Sequence, residues 1–264
     1  MSTTRPIALI TGASTGIGAT YADRLARRGY DLILVARDQA RLGAVATQLR
    51  AQTARQVETI PADLTQSDQL ARIEARLRDD PAIRLLVNNA GAVQHGGFAS
   101  ADVAELDALV RLNVLALTRL TQAVLPRFLG HEDTAIINIA SLVAIAPEVP
   151  FGIYAATKAY VLSLSQSLQV ELAGRGPYVQ AVLPGATRTE IWQRSGRDVS
   201  ALQGSMDVDE LVDAALVGFD RREPVTIPPL AEPELWNSLT RARQALLPGL
   251  VQSRAAERYR ASSA

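Results

Sequence analysis

The chain has 264 residues with 27 basic and 27 acidic side chains, so it lacks the basic excess that a nucleic-acid or anionic-membrane surface needs. It has no cysteine, which excludes disulfides, thiolate metal sites and cysteine nucleophiles, and its two histidines, His95 and His131, lack other ligands at metal spacing. With 48% hydrophobic residues and no run near ~18 uninterrupted apolar positions, a cytoplasmic globular protein is expected, one domain over 1–264 with no membrane span.

Short apolar runs alternate with longer helical patterns. Ile7–Ile10 predicts a buried strand and Ala19–Arg28 a helix with Tyr21, Ala22 and Leu25 on one face, stopped by Gly29. Asp31–Ala36 repeats the strand pattern, Gln39 to about Gln52 the helix, and Val57–Ile60 a third strand. Ser67–Leu77 reads as a helix before a fourth strand at Leu85–Val87, and Glu105–Leu129 as one long helix carrying Asn113. Ala135–Ile139 is a fifth strand, Tyr154–Ala173 a helix, Val179–Leu183 a sixth strand and Val225–Ile227 a seventh. Strands this apolar need cover on both faces, so the expected fold class is α/β, a seven-stranded parallel sheet, doubly wound, with ligands at the carboxyl ends of its strands. The extension over 228–264 has a helical run near Leu239–Leu247 and no evident role.

Between the first strand and the first helix lies Thr11-Gly12-Ala13-Ser14-Thr15-Gly16-Ile17-Gly18. Glycines let backbone approach a pyrophosphate, and a helix amino end supplies free N–H groups and a favourable dipole. Further along, the chain's one lysine, Lys158, follows Tyr154 by four residues, against twenty-six arginines elsewhere. A position that keeps lysine in such a chain points to a need for a compact ammonium rather than a planar fork.

In order, the glycine loop, Asn88-Asn89-Ala90-Gly91, Asn113, Ser141, Tyr154-x-x-x-Lys158 and Pro184-Gly185-Ala186-Thr187-Arg188-Thr189 resemble the motif set of the short-chain dehydrogenase/reductase family. The resemblance implies a carbonyl or secondary alcohol substrate, hydride transfer with a nicotinamide cofactor, and Tyr154 as acid and base. Lys158 is expected to lower the Tyr154 pKa by its charge. By the same resemblance, Lys158 also binds the nicotinamide ribose, and Asn113 holds a water that links the lysine to solvent. Ser141 follows the fifth strand, where its hydroxyl can bind the substrate oxygen; a local turn bond is the rival role, as a structural amide is for Asn113. A serine hydrolase fits poorly, because Ser141 lacks the Gly-x-Ser-x-Gly elbow.

Cofactor contacts are expected from Gly12, Ser14, Thr15, Gly16, Ile17 and Gly18 in the loop, then Asp63, Leu64, Asn89, Ala90 and Gly91, then Tyr154 and Lys158, and last Pro184, Gly185, Thr187 and Thr189. Turn bonding is the rival role for Asp63. Relatives that prefer NAD carry an acid where this chain has Ala36, and Arg37 resembles the arginine that pairs the 2′-phosphate, so NADP(H) is preferred and NAD possible. Asp38 then caps the next helix. The segment 190–220 is expected to cover the substrate and offers Trp192 beside Ser141 and Tyr154, while Leu142, Val143, Ile145, Val149 and Phe151 favour an apolar substrate. The alternatives are a 3-oxoacyl-thioester reductase and, from another class, a non-catalytic NADP-sensing regulator. A homodimer or homotetramer is implied by resemblance.

Overall fold

A computed structural model describes residues 5–94, 97–190 and 204–260. The chain resolves into two compact units, Met1–Pro229 and Leu230–Ala264. The strands of the first are β1 Ile7–Thr11, β2 Asp31–Ala36, β3 Val57–Pro61, β4 Ile83–Asn88, β5 Ala135–Ile139, β6 Tyr178–Val182 and β7 Val225–Thr226. They form one seven-stranded sheet in the order β3-β2-β1-β4-β5-β6-β7, parallel throughout, as the alternation of strands and helices predicts. The order reverses between β1 and β4, and in such sheets the crevice at that switch point binds ligands.

Helices cover both faces. On one, α1 Gly16–Arg27, α2 Gln39–Thr53 and α7 Val208–Asp220 bury Leu25, Leu42 and Leu211 against Ile10, Leu34 and Val87. On the other, α3 Ser67–Asp79, α5 Leu117–Phe128 and α6 Gly152–Glu171 bury Ile73, Val124 and Leu168 against Leu9, Ile33 and Leu86. Alternate residues of each strand feed opposite layers, which is why the strands read as continuous apolar runs.

The expected single helix over Glu105–Leu129 differs in one respect. The α-helix α4, Val103–Val110, passes into a π-helical turn at Arg111–Ala116 before α5 begins, and Asn113 lies in that turn. Turns of this kind cluster at functional sites, and the apolar periodicity of the sequence carries no mark of one. By length and composition Val103–Phe128 could cross a membrane, but Leu109, Leu120, Val124 and Phe128 are buried inside the domain. A smaller difference is that α1 starts at Gly16 rather than Ala19, so Ile17 and Gly18 form its first turn.

Between β4, β5 and the second helical layer runs a buried polar chain. Asn88 Nδ2 donates to Thr121 Oγ1 at 3.0 Å and to Asn138 Oδ1 at 2.9 Å, and Asn138 Nδ2 donates to Ser165 Oγ at 2.9 Å. Removing one member strands the others in a dry interior, at a cost of about 1–3 kcal/mol for each group left unpaired. Asn138→Ala is therefore expected to lower the urea midpoint with an unchanged denaturant slope; an unaltered midpoint would contradict a structural role for this chain.

In the second unit, α8 spans Pro233–Ala245 and a short turn of helix Leu247–Leu250. The helix starts well before the expected Leu239, because Pro233 at its first turn suits a position whose N–H has no helical partner.

Candidate active site

The glycine loop is bound to the segment after β4. Thr11 Oγ1 accepts from the backbone N–H of Asn89 and of Ala90, each at 3.0 Å, and Asn89 Nδ2 donates to the carbonyls of Thr11 at 2.9 Å and Gly12 at 3.1 Å. Gly12 and Gly16 hold φ of 66° and 54°, which disfavours any side chain there. A Cβ on Gly18 would lie 2.3 Å from the Gly12 carbonyl oxygen, so helix and loop touch at backbone distance. Thr15 at the amino end of α1 makes no side-chain cap, leaving the first amides of the helix for a ligand.

These elements line one cavity of 880 Å³ at the switch point, running from Arg37 and Asp63, past the loop and Asn89–Gly91, to Ser141, Tyr154 and Lys158. Of the site residues expected from the sequence, all the described ones line it except Gly18 and Asn113. Gly18 packs against the Gly12 backbone behind the wall. Trp192, with residues 191–203 of the expected covering segment, lies outside the described residues, as does His95. Arg188 and Met206 are paired, Arg188 N–H donating to the Met206 carbonyl at 3.0 Å and Met206 N–H to the Ala186 carbonyl at 2.8 Å. Leu142, Val143, Val149 and Phe151 also line the cavity, whereas Ile145 does not.

Tyr154 and Lys158 sit one turn apart on α6, both buried, with Nζ 5.7 Å from the phenol ring centroid. Lys158 Nζ donates to the Ile139 carbonyl at 2.8 Å, at the carboxyl end of β5. The expected lowering of the Tyr154 pKa is corrected here. Burial pushes it up to about 12, opposed by a hydrogen bond with Ser141. Burial likewise brings Lys158 down to about 8, because the ammonium loses more hydration than one carbonyl returns. Ser141 also makes the local turn bond, accepting from Val143 N–H at 3.4 Å.

Asn113 is hydrogen-bonded through both of its amide atoms beside the cavity. Its Oδ1 accepts from Ala92 N–H at 2.9 Å, and its Nδ2 donates to the Ala92 carbonyl at 2.9 Å and to Thr157 Oγ1 at 3.1 Å. Thr157 in turn donates to the Tyr154 carbonyl at 2.8 Å. The structure thus makes Asn113 a clamp between the segment after β4 and the helix that bears the tyrosine. Gln94, which no sequence signal marks, belongs to the same clamp: buried, it accepts from Tyr154 N–H at 3.3 Å through Oε1.

At the other end, Asp38 caps α2 as expected, accepting from Arg41 N–H at 3.0 Å. Arg37 lines the cavity beside it. Asp63 serves turn and cavity at once, since its Oδ1 accepts from Thr65 N–H at 2.9 Å and Thr65 Oγ1 at 2.8 Å while the residue lines the wall. An ion pair between Arg41 and Glu190 escaped the sequence reading. His131 lies before β5, at the strand end opposite Ser141, which removes it from any pairing with that serine. An elongated cavity, a helix amino end without a side-chain cap and a backbone cradle kept open by glycine fit a dinucleotide. Lys158 and Tyr154 then stand at the end distant from Arg37.

Comparison with known proteins agrees with this arrangement. The family described as short chain dehydrogenase matches residues 6–200. A short-chain dehydrogenase from Sphingobium yanoikuyae, solved in complex with NADPH, is 57% identical with a TM-score of 0.95, over 97% of this chain and 100% of that one. The bulky-bulky ketone specific alcohol dehydrogenase from Comamonas testosteroni, in an orthorhombic crystal, is 53% identical with a TM-score of 0.89, over 96% of this chain and 98% of that one. The very-long-chain 3-oxoacyl-CoA reductase of Bos taurus is 35% identical over 188 residues, which span 70% of this chain but only 60% of that enzyme. Motif order, sheet topology and these likenesses agree along most of the chain, which belongs to the short-chain dehydrogenase/reductase family and is an NAD(P)-dependent oxidoreductase acting on carbonyl and alcohol groups.

Proposed function

We propose that this protein uses NADPH to reduce ketones carrying two bulky substituents. The observation that carries the reading is one continuous cavity with Arg37 at one end and Ser141, Tyr154 and Lys158 at the other, where Leu142, Val143, Val149 and Phe151 supply an apolar wall. The similarity to the NADPH complex from Sphingobium yanoikuyae and to the bulky-bulky ketone specific enzyme from Comamonas testosteroni supports cofactor and substrate class respectively.

When bound, the nicotinamide supplies the hydride. Tyr154 gives its phenolic proton to the carbonyl oxygen as negative charge builds there, and Ser141 donates a hydrogen bond to the same oxygen. Burial holds the phenol protonated at neutral pH, which suits a proton donor in the reductive direction. The Lys158 ammonium stabilises the phenolate that the transfer leaves behind and binds the nicotinamide ribose. Asn113, Thr157 and Gln94 position the helix that carries both residues. The glycine loop, Asn89–Gly91 and the Pro184–Thr189 segment hold the cofactor, with Asp63 and Leu64 at the adenine and Arg37 on the 2′-phosphate. The catalytic unit acts as one domain; of the segment expected to cover the substrate, Val208–Asp220 is instead the helix α7 packed on the sheet.

A cytoplasmic homodimer or homotetramer, paired through the helices that bear Asn113 and Tyr154, completes the reading. Exposed Leu115 beside Asn113, and Tyr160 and Val170 on α6, support that pairing.

Steady-state rates over ketones of increasing size, set beside a 3-oxoacyl thioester, test the substrate class. Higher kcat/KM for ketones bulky on both sides is expected, and a preference for the thioester would overturn the reading. For the cofactor, Arg37→Ala removes charge-assisted bonds worth about 1.5–3 kcal/mol, so KM for NADPH is expected to rise about 10- to 100-fold with KM for NADH unchanged. Preference for NADH in the unmodified enzyme, unaffected by the substitution, would sink the assignment.

A further inference from the structure

The cavity end that holds Arg37 carries more negative charge than a site for a phosphate dianion would choose. Asp38, Asp63 and Glu190 line it, and among the described residues Arg37 is the cation beside them. Arg41 does not line the cavity, yet its guanidinium pairs with two of these carboxylates: Nε lies 3.3 Å from Asp38 Oδ2, and Nη1 donates to Glu190 Oε2. The second contact joins α2 to the segment after β6, across 149 residues of sequence.

We infer that Arg41 is a cofactor-specificity residue that acts by offsetting the negative charge of Asp38 and Glu190, so that a 2′-phosphate can settle on Arg37 against a weaker opposing field. The inference rests on the NADPH reading above. A cofactor 2′-phosphate carries a charge of roughly −1.5 to −2 at neutral pH, as phosphomonoesters do. Removing Arg41 makes this rim more negative by one charge, and removing Glu190 with it returns the net charge to its starting value. A 2′-hydroxyl carries no charge, so NAD(H) is nearly indifferent to that change. At half-exposed positions such an effect is moderate and weakens with salt.

Arg41 is therefore a positioning residue for charge, and that role separates from direct contact with the phosphate. If Arg41 bound the phosphate itself, removing Glu190 could not replace it. If it offsets their charge, removing Arg41 and Glu190 together restores the net charge and with it the selectivity.

Equilibrium binding of NADP⁺ and NAD⁺, measured by calorimetry at low and high salt, tests this without relying on turnover. Arg41→Gln is expected to weaken NADP⁺ about three- to tenfold and NAD⁺ less than about twofold, with the difference shrinking at high salt. Arg41→Gln with Glu190→Gln is expected to return NADP⁺ affinity to within about twofold of the unmodified protein. Arg41→Lys, which keeps the charge, is expected to do the same. Equal weakening of both cofactors, no weakening of either, or a double variant as weak as Arg41→Gln alone would overturn the proposal. Arg37→Ala in the same series separates the two readings. If it selectively weakens NADP⁺ while the Arg41 variants fail as stated, only this proposal falls. If the unmodified protein favours NAD⁺ and Arg37→Ala changes nothing, the NADPH reading falls and takes this one with it.

Discussion

Tyr154→Phe is expected to lower kcat for ketone reduction about 10²–10⁴-fold, the usual contribution of a positioned proton donor, while leaving cofactor affinity within a few-fold. The phenol is buried beside Ser141, so no bulk water stands in for the lost proton. Phenylalanine preserves the ring's edge contact with Phe151, whose centroid lies 5.9 Å away, and the backbone bonds to Gln94 and Thr157. Fold and binding should therefore survive while the chemistry fails. A kcat within about tenfold of the unmodified enzyme would remove Tyr154 from the reaction.

Lys158→Arg is expected to cost roughly 10²-fold in kcat although it conserves charge and matches the cation used everywhere else in the chain. The ammonium occupies a buried slot: it donates to the Ile139 carbonyl, and a Cβ built on Gly91 would come within 3.5 Å of Nζ. A planar guanidinium is wider and carries its donors in a fixed fork, so it must displace either the carbonyl contact or the helix. The sign of the pH dependence also follows. Lysine is charged below its pKa, and burial brings that value from 10.5 to about 8. Reductive kcat/KM, which reports groups in the free enzyme, is thus expected to be full below that pH and to fall as pH rises through about 8. In Lys158→Arg the remaining activity should lose this limb, because arginine stays charged. Near-normal turnover, or a pH profile identical to that of the unmodified enzyme, would contradict the role.

The strands, their parallel order and the sites at their carboxyl ends were legible because an α/β sheet buried on both faces writes itself as apolar runs, each followed by a loop with its own chemistry. Gly12, Asn89, Ser141 and Pro184 all follow strands in this way, and the cavity gathers them. What escaped is carried by contacts between distant residues. Gln94 meets Tyr154 across 60 residues, and Arg41 meets Glu190 across 149, with nothing in either local pattern to pair them. The π-turn at Asn113 keeps the apolar stripe of a helix, so periodicity passes over it. The Tyr154 pKa went the other way for a different reason. Spacing puts a cation near the phenol, but the sign of the shift follows how deeply the phenol is buried, and here burial outweighs the Ser141 hydrogen bond that opposes it.

The central claim is that the two ends of one cavity serve one reaction, NADPH at Arg37 and ketone at Tyr154. Its most direct test follows NADPH absorbance and alcohol formation together, with a ketone bulky on both sides, in the unmodified protein and in Tyr154→Phe. The account predicts one alcohol formed for each NADPH consumed in the unmodified protein, and loss of both signals in the variant with NADPH still bound. Ketone-independent NADPH consumption, or equal alcohol formation by the two proteins, would contradict it.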